Sequence, residues 1–241
     1  MNKKTDNSGD SFRKVSSYYD GTYYRHAVAD APAPSLHTRR LAKRFVRPGM
    51  NVLDVACGLG EFLVAANQCG ARVFGIDISQ TAIDICKQRM PAGEFHTGVA
   101  EELPFPDNTM DLVFCLGSLE HFLEQKQALE EMLRVARPEA IFIILVPNAD
   151  FLTRKLGLFK GTDQVNVKED VKTLEKWQEL FDSAGLQVTE CWKDLHVLSY
   201  DWIYMHGWKK APLRLLQAMC LVIWPLRWQY QIYFMCKRKA G

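Results

Sequence analysis

Residues 52–60 read Val-Leu-Asp-Val-Ala-Cys-Gly-Leu-Gly. A short apolar run carries one acid, Asp54, and then breaks at Gly58 and Gly60 before an apolar-periodic segment with Phe62, Leu63, Ala65 and Ala66. That order spells strand, glycine turn, helix. Glycine lets a backbone turn tightly and come close to a ligand. The helix start that follows offers unpaired N–H groups. In open α/β sheets, ligands lie outside the carboxyl ends of the strands. A small molecule is therefore expected over Gly58 and Gly60.

Downstream, the β-rich run Arg72–Ile76 ends in Asp77, and Ser79 is the expected N-cap of a helix over residues 80–90. An acid at that position suits ribose hydroxyls, which fits NAD and S-adenosylmethionine alike. A dinucleotide fingerprint needs a third glycine where this chain has Leu63, and no Gly-Lys-Ser/Thr follows for a P-loop. Asp54 would repel a pyrophosphate. It suits a cation instead, and S-adenosylmethionine carries both an ammonium and a sulfonium.

The turn resembles motif I of the class I S-adenosylmethionine-dependent methyltransferases. Later segments make the resemblance more specific: Leu103-Pro104-Phe105-Pro106-Asp107 before the strand Asp111-Leu112-Val113, Leu119-Glu120-His121-Phe122 after it, and Arg134-Val135-Ala136-Arg137-Pro138 before Ile141–Val146. Over residues 50–147 the chain is similar to the group containing ubiquinone/menaquinone C-methyltransferases and small-molecule O- and N-methyltransferases. The resemblance implies S-adenosylmethionine as cofactor. Asp54, Ala56, Gly58 and Gly60 would hold its methionine end and Asp77 its ribose. Ile78 would pack on adenine, Ala100 and Glu101 would line the adenine edge, and Leu116 would face the methionine moiety. One departure is Val99, where the family usually has an Asp that meets the adenine amine. Val99 makes no such bond, which leaves Glu101, water or backbone.

The chain has 241 residues, 48% hydrophobic and 24% charged, with a net charge of +2. That suffices for one large α/β domain and shows no basic stripe calling for nucleic acid. Seven cysteines without a C-x-x-C pair fit reduced thiols in a cytoplasmic protein. No cluster has metal-ligand spacing, so no metal is expected. Residues 1–11 are polar, lack the apolar run of a secretory signal, and are expected to be a disordered tail. Strands are expected at 51–55, 72–76, 94–97, 111–116, 140–146, 186–192 and 229–236, with helices at 61–69, 80–90, 123–136 and 174–184. Strand–helix alternation predicts a doubly wound, Rossmann-like sheet with helices on both faces. By resemblance its seventh strand is antiparallel. Residues 12–241 are expected to be a single methyltransferase domain.

Two segments fall outside that sheet. Residues 12–45 hold Tyr18, Tyr19, Tyr23, Tyr24, Arg25 and His26 and suit an N-terminal helical lid. Residues 195–228 hold Trp202, Trp208, Trp224 and Trp228 with His196 and His206, far more chain than a hairpin needs. They are expected to pack on the core, roof the acceptor pocket as a cap, or lie in a membrane interface. The acceptor is expected to be a small molecule, lipid or glycan precursor, with weak peripheral membrane contact as a further option. His121, after the fourth strand, is the first candidate for a catalytic base, the alternative being a structural histidine. Tyr19, His26, Asn148, Trp202 and His206 complete the expected acceptor set. A catalytically silent cofactor-binding protein on the same fold is the competing possibility.

Overall fold

The computed structural model describes residues 12, 15–24, 33–157, 169–204 and 207–240. The tail 1–11, His26 and His206 lie outside the described residues. Seven strands form one sheet: β1 (Asn51–Val55), β2 (Arg72–Asp77), β3 (Glu94–Thr97), β4 (Met110–Leu116), β5 (Ala136–Pro147), β6 (Leu186–Lys193) and β7 (Gln231–Arg238). Their spatial order is β3-β2-β1-β4-β5-β7-β6. Strands β1 to β5 pair in parallel, and β7 runs antiparallel to both β5 and β6. This is the expected doubly wound, seven-stranded sheet. Chain order reverses between β1 and β4, which makes their carboxyl ends the place for a ligand.

Side chains alternate across each strand, so one strand feeds two cores. Leu53, Val55, Val113 and Cys115 enter a core with Trp177, Phe181 and Phe234. Val52, Leu112 and Phe114 enter the other with Phe62, Leu63, Ile83 and Cys86. Burial on both faces explains why β1 and β4 read as near-continuous apolar runs. Past the N-terminal segment the α-helices are α1 (Leu36–Phe45), α2 (Glu61–Gln68), α3 (Gln80–Arg89), α4 (Gln125–Val135), α5 (Leu152–Lys155), α6 (Leu174–Ser183), α7 (Tyr200–Tyr204) and α8 (Ala211–Ile223). The expected Ser79 cap holds, and a second side-chain cap joins it. Ser79 Oγ accepts from Ala82 N at 3.1 Å, and Thr173 caps α6, with Gly185 just past the helix end in the left-handed region.

β5 starts earlier than the sequence suggests, because Val135 passes directly into extended chain and Ala136 pairs with Met110 before a bulge. Pro138 sits in that irregular start, where no ladder donor is demanded of it. β7 starts later: Trp228 closes a 3₁₀ turn, and the side-chain amide of Gln229 donates to Leu221 O and Trp224 O.

The Leu-Pro-Phe-Pro-Asp turn is held by one guanidinium. Arg134 donates to Leu103 O at 2.8 Å and Phe105 O at 3.0 Å and pairs with Glu131 and Asp107. Arg134→Ala removes the donors of both carbonyls and is expected to cost about 1–3 kcal/mol. Arg134→Lys should recover little of this, since an ammonium lacks the planar fork. Urea unfolding with an unchanged m-value checks it; an unaltered midpoint in both variants would contradict the clamp.

Candidate functional site

Two adjoining chambers open at the carboxyl ends of β1, β2 and β4. The first is lined by Ile76, Asp77, Ile78, Gly98, Val99, Ala100 and Glu101, with Tyr19 and Tyr24 from the N-terminal segment. The second, about 450 Å³, is lined by Asp54, Cys57, Gly58, Glu61, Phe62, Leu116 and Gly117, and by His37, Leu41 and Tyr233. Ala56, Ser118, His121, Tyr19 and Tyr24 belong to both.

The first turn is strained in the way a close approach requires. Ala56 (φ 61°) and Gly58 (φ 51°) both lie in the left-handed region, which a non-glycine residue adopts at a cost. A Cβ on Gly58 would sit 2.9 Å from Tyr24 Oη. Gly60 lines neither chamber; it starts α2 from a left-handed φ of 73°. Asp77 ties this turn to the next, accepting from Gly58 N at 2.8 Å and Ser79 N at 2.9 Å. Burial raises its carboxyl from the usual range, while those two amides pull the other way.

Asp54 is 4% exposed, and its Oδ1 has no hydrogen-bond partner among the described residues. Burial, and then the charge of Asp77, holds its carboxyl well above the usual carboxylate range. A buried acid without a partner is costly, and a cation in the second chamber removes that cost. Beside it, hydrogen bonding to Cys86 and burial hold the Cys57 thiol well above its ordinary range, and Cys86 Sγ lies 3.3 Å from Gly58 O.

The N-terminal segment closes over both turns. Residues 15–18 are helical and run into a π-helical turn, Tyr19–Tyr23. Ser16 Oγ donates to Ile78 O, and Asp20 Oδ1 accepts from Ser79 Oγ at 2.5 Å and Thr81 N at 3.2 Å, so an acid of the N-terminal segment caps α3. On the far side, Glu101 Oε1 accepts from Leu123 N and Glu124 N, which fixes the chain entering α4.

A model described as "Methyltransferase domain" matches residues 53–144. A malonyl-acyl carrier protein O-methyltransferase from Serratia marcescens is 32% identical over 79% of this chain and 71% of its own length. The chain belongs to the class I S-adenosylmethionine-dependent methyltransferases. A demethylmenaquinone methyltransferase from Renibacterium salmoninarum is 28% identical over 83% of this chain and 86% of its own. Among solved structures, geranyl diphosphate C-methyltransferase from Streptomyces coelicolor, in complex with S-adenosyl-L-homocysteine, superposes with TM-score 0.61 at 11% identity, covering 83% and 76% of the two chains. The PH0226 protein from Pyrococcus horikoshii gives 0.62 at 22% identity, covering 90% and 98%. At these identities the likeness shows the fold.

S-adenosylmethionine is the cofactor of this methyltransferase, and the orphaned Asp54 oxygen beside the glycine turn fits its cationic methionine end. Of the expected cofactor set, Asp54, Ala56, Gly58, Asp77, Ile78, Ala100, Glu101 and Leu116 line one chamber or the other. Asn148 does not. It is fully buried, and its side-chain amide donates to Arg227 O and Gln229 O, so it pins the start of β7. Trp202 also lies outside the lining; Arg214 stacks over its ring at 4.5 Å.

The sequence missed His37 and Tyr233. His37 Nε2 lies 3.1 Å from Tyr233 Oη and 3.4 Å from Asp194 Oδ1, and Asp194 Oδ2 lies 2.5 Å from His196 Nδ1. Burial lowers His37 against the pull of Asp194, while the hydrogen bond to Asp194 raises His196. The one available signal was Asp194-Leu195-His196 just past the carboxyl end of β6; His37 comes from far away in sequence.

Asp54→Asn should weaken S-adenosylhomocysteine binding by about 2–5 kcal/mol, as for a broken buried charge pair. It should also stabilise the ligand-free protein at neutral pH by about 1–3 kcal/mol. The sign follows from the raised pKa: the contribution of Asp54 is complete below the ordinary carboxylate range and lost as pH rises through its elevated value. Calorimetry and thermal unfolding read the two effects; loss of both binding and stability would contradict the assignment.

Glu120 gives a narrower window. Burial raises its carboxyl to about 7, and Oε2 has no partner among the described residues. Its stabilising contribution is present below the ordinary carboxylate range and is lost as pH rises through about 7. Glu120→Gln should flatten the melting temperature between mildly acid and mildly alkaline buffer, where the native chain declines. An unchanged slope would count against it.

Proposed function

We propose that this methyltransferase passes the methyl group by in-line displacement to a small, largely apolar acceptor, a lipid or glycan precursor included, that carries a hydroxyl or an acidic carbon. The observation that supports this most is the position of His121, on the wall that the two chambers share. The cofactor supplies a methyl already activated by positive sulfur. The chain has to align the partners and keep water out, and alignment alone is worth about 7–11 kcal/mol. Tyr19 and Tyr24 stand over the junction from the lid, and Phe62, Leu41 and Leu116 give the second chamber apolar walls. His121 takes the acceptor's proton. His37, next to Tyr233 in the same chamber, is a second proton acceptor and orients a hydroxyl.

In this proposal Asp54, Ala56, Gly58 and Leu116 surround the methionine end and Gly60 shapes the turn. Asp77 meets the ribose, and Ile78, Ala100 and Glu101 surround adenine. Val99 gives that pocket an apolar edge, and the capping of α4 by Glu101 fixes where its carboxylate stands. Relatives named for demethylmenaquinone and for malonyl-acyl carrier protein agree with an acceptor other than nucleic acid. No helix among the described residues is long and apolar enough to cross a membrane. All seven cysteines are unpaired, in keeping with a reducing cytoplasm.

Incubating the protein with methyl-labelled S-adenosylmethionine and host extract, followed by solvent partition, identifies the acceptor class. Label in the organic phase or in a small soluble product is expected; label confined to protein or nucleic acid would overturn the proposal. His121→Ala should lower kcat by about 10²–10⁴-fold, the range for a lost general base, with cofactor affinity nearly unchanged. A variant that loses cofactor binding and keeps its turnover would make His121 structural.

A further inference from the structure

The insertion between β6 and β7 turns its apolar side outward. Helix α8 buries Ala211 and Ala218. Leu213, Leu216, Met219 and Ile223, three or four residues apart, form one stripe on the opposite face, 69%, 59%, 59% and 78% exposed. Spacing of this kind places side chains on a single helix face. Trp208, 74% exposed, stands just before the helix. The stripe is not a disordered end, because α8 is fastened: Lys193 Nζ donates to Val222 O, Gln229 Nε2 to Leu221 O, and Arg214 to Trp202 O.

Charge says what kind of surface suits this face. Residues 202–241 contain no Asp or Glu, and the insertion carries Lys209, Lys210, Arg214 and Arg227. Lys209 and Lys210 are exposed next to Trp208, at the start of the helix, and Arg227 is exposed beyond its end. An apolar stripe bordered by cations and an indole, with no acid from residue 202 onward, matches a negatively charged lipid interface. The face of a second copy would bring the same positive charges against each other. At 13 residues α8 is too short to span a bilayer, which needs about 20. β6 ends and β7 begins at the sheet edge that carries both chambers, so a lipid surface on α8 would lie on the acceptor side of the molecule.

We infer that the outer face of α8, with Trp208, Lys209 and Lys210, docks the protein reversibly onto anionic lipid surfaces. This does not depend on the proposed acceptor, and binding is measured without turnover.

The test is co-sedimentation of the full chain with phosphatidylcholine vesicles and with equal mixtures of phosphatidylcholine and phosphatidylglycerol. Binding to the mixed vesicles only is expected, weakening as salt is raised. Lys209→Glu with Lys210→Glu should weaken it at least tenfold, since each lysine near such a surface contributes about fivefold. Leu216→Glu with Ile223→Glu, both at exposed positions, should abolish it and leave S-adenosylhomocysteine affinity unchanged. Brominated lipid should quench the native chain more than Trp208→Phe, a readout that asks nothing of the charged variants' folding. The inference is overturned if mixed vesicles are not bound, or if the Leu216/Ile223 variant binds as the native chain does, which would leave only diffuse charge attraction. It is equally overturned if sedimentation shows a dimer that this variant dissociates and vesicles are not bound, which would assign the face to a second copy.

Discussion

The site is organised around the Asp77 carboxylate. One oxygen accepts from Gly58 N in the first turn and the other from Ser79 N in the second. Two loops that leave different strands are thus locked at a fixed separation, with the ligand space between them. Ser79 also caps α3 through its hydroxyl, and that hydroxyl donates to Asp20 of the N-terminal segment. The order Asp20, Ser79, Asp77, Gly58 is a single hydrogen-bonded line from the outer cover to the glycine turn. Its charge-assisted links are stronger than neutral ones.

The same line concentrates negative charge. Asp54 and Asp77 are both buried, and the charge of Asp77 adds to the burial that raises Asp54. The ligand-free fold carries this as a standing cost, and a positively charged ligand relieves it. Unfavourable electrostatics of this kind mark functional sites because selection for folding alone would remove them.

The fold was legible because its signals are local. Strands β1, β4 and the later part of β5 are apolar runs, Ser35, Ser79 and Thr173 cap their helices, and the acids Asp54 and Asp77 stand at strand ends where their chemistry can be read directly. Chamber linings written in contiguous motifs, such as Ala100-Glu101 and the His121 of Leu119-Glu120-His121-Phe122, were legible for the same reason. Features that depend on distant partners were not. His37 enters the second chamber only because α1 packs beside β7, which brings Tyr233 and Asp194 to it. Asn148 follows a strand end, as a site residue would, yet its amide is consumed by two carbonyls about eighty residues on. The tryptophans of the insertion gave a signal of apolar character without direction. Composition does not say which side of α8 faces out; the burial of Ala211 and Ala218 settles that.

Cys57 lines the second chamber next to the glycine turn, with Cys86 against the same carbonyl. A thiolate is among the strongest biological nucleophiles toward an activated methyl, and the thiolate, not the thiol, is the reactive form. An enzyme that stores an alkylating agent beside a cysteine risks methylating itself. Here the bond to Cys86, burial and the neighbouring carboxylates all oppose ionisation of Cys57. The bond to Cys86 and burial, with the two acids adding to them, thus hold down a competing nucleophile in the chamber wall, and sulfur can stand there without being a ready methyl acceptor.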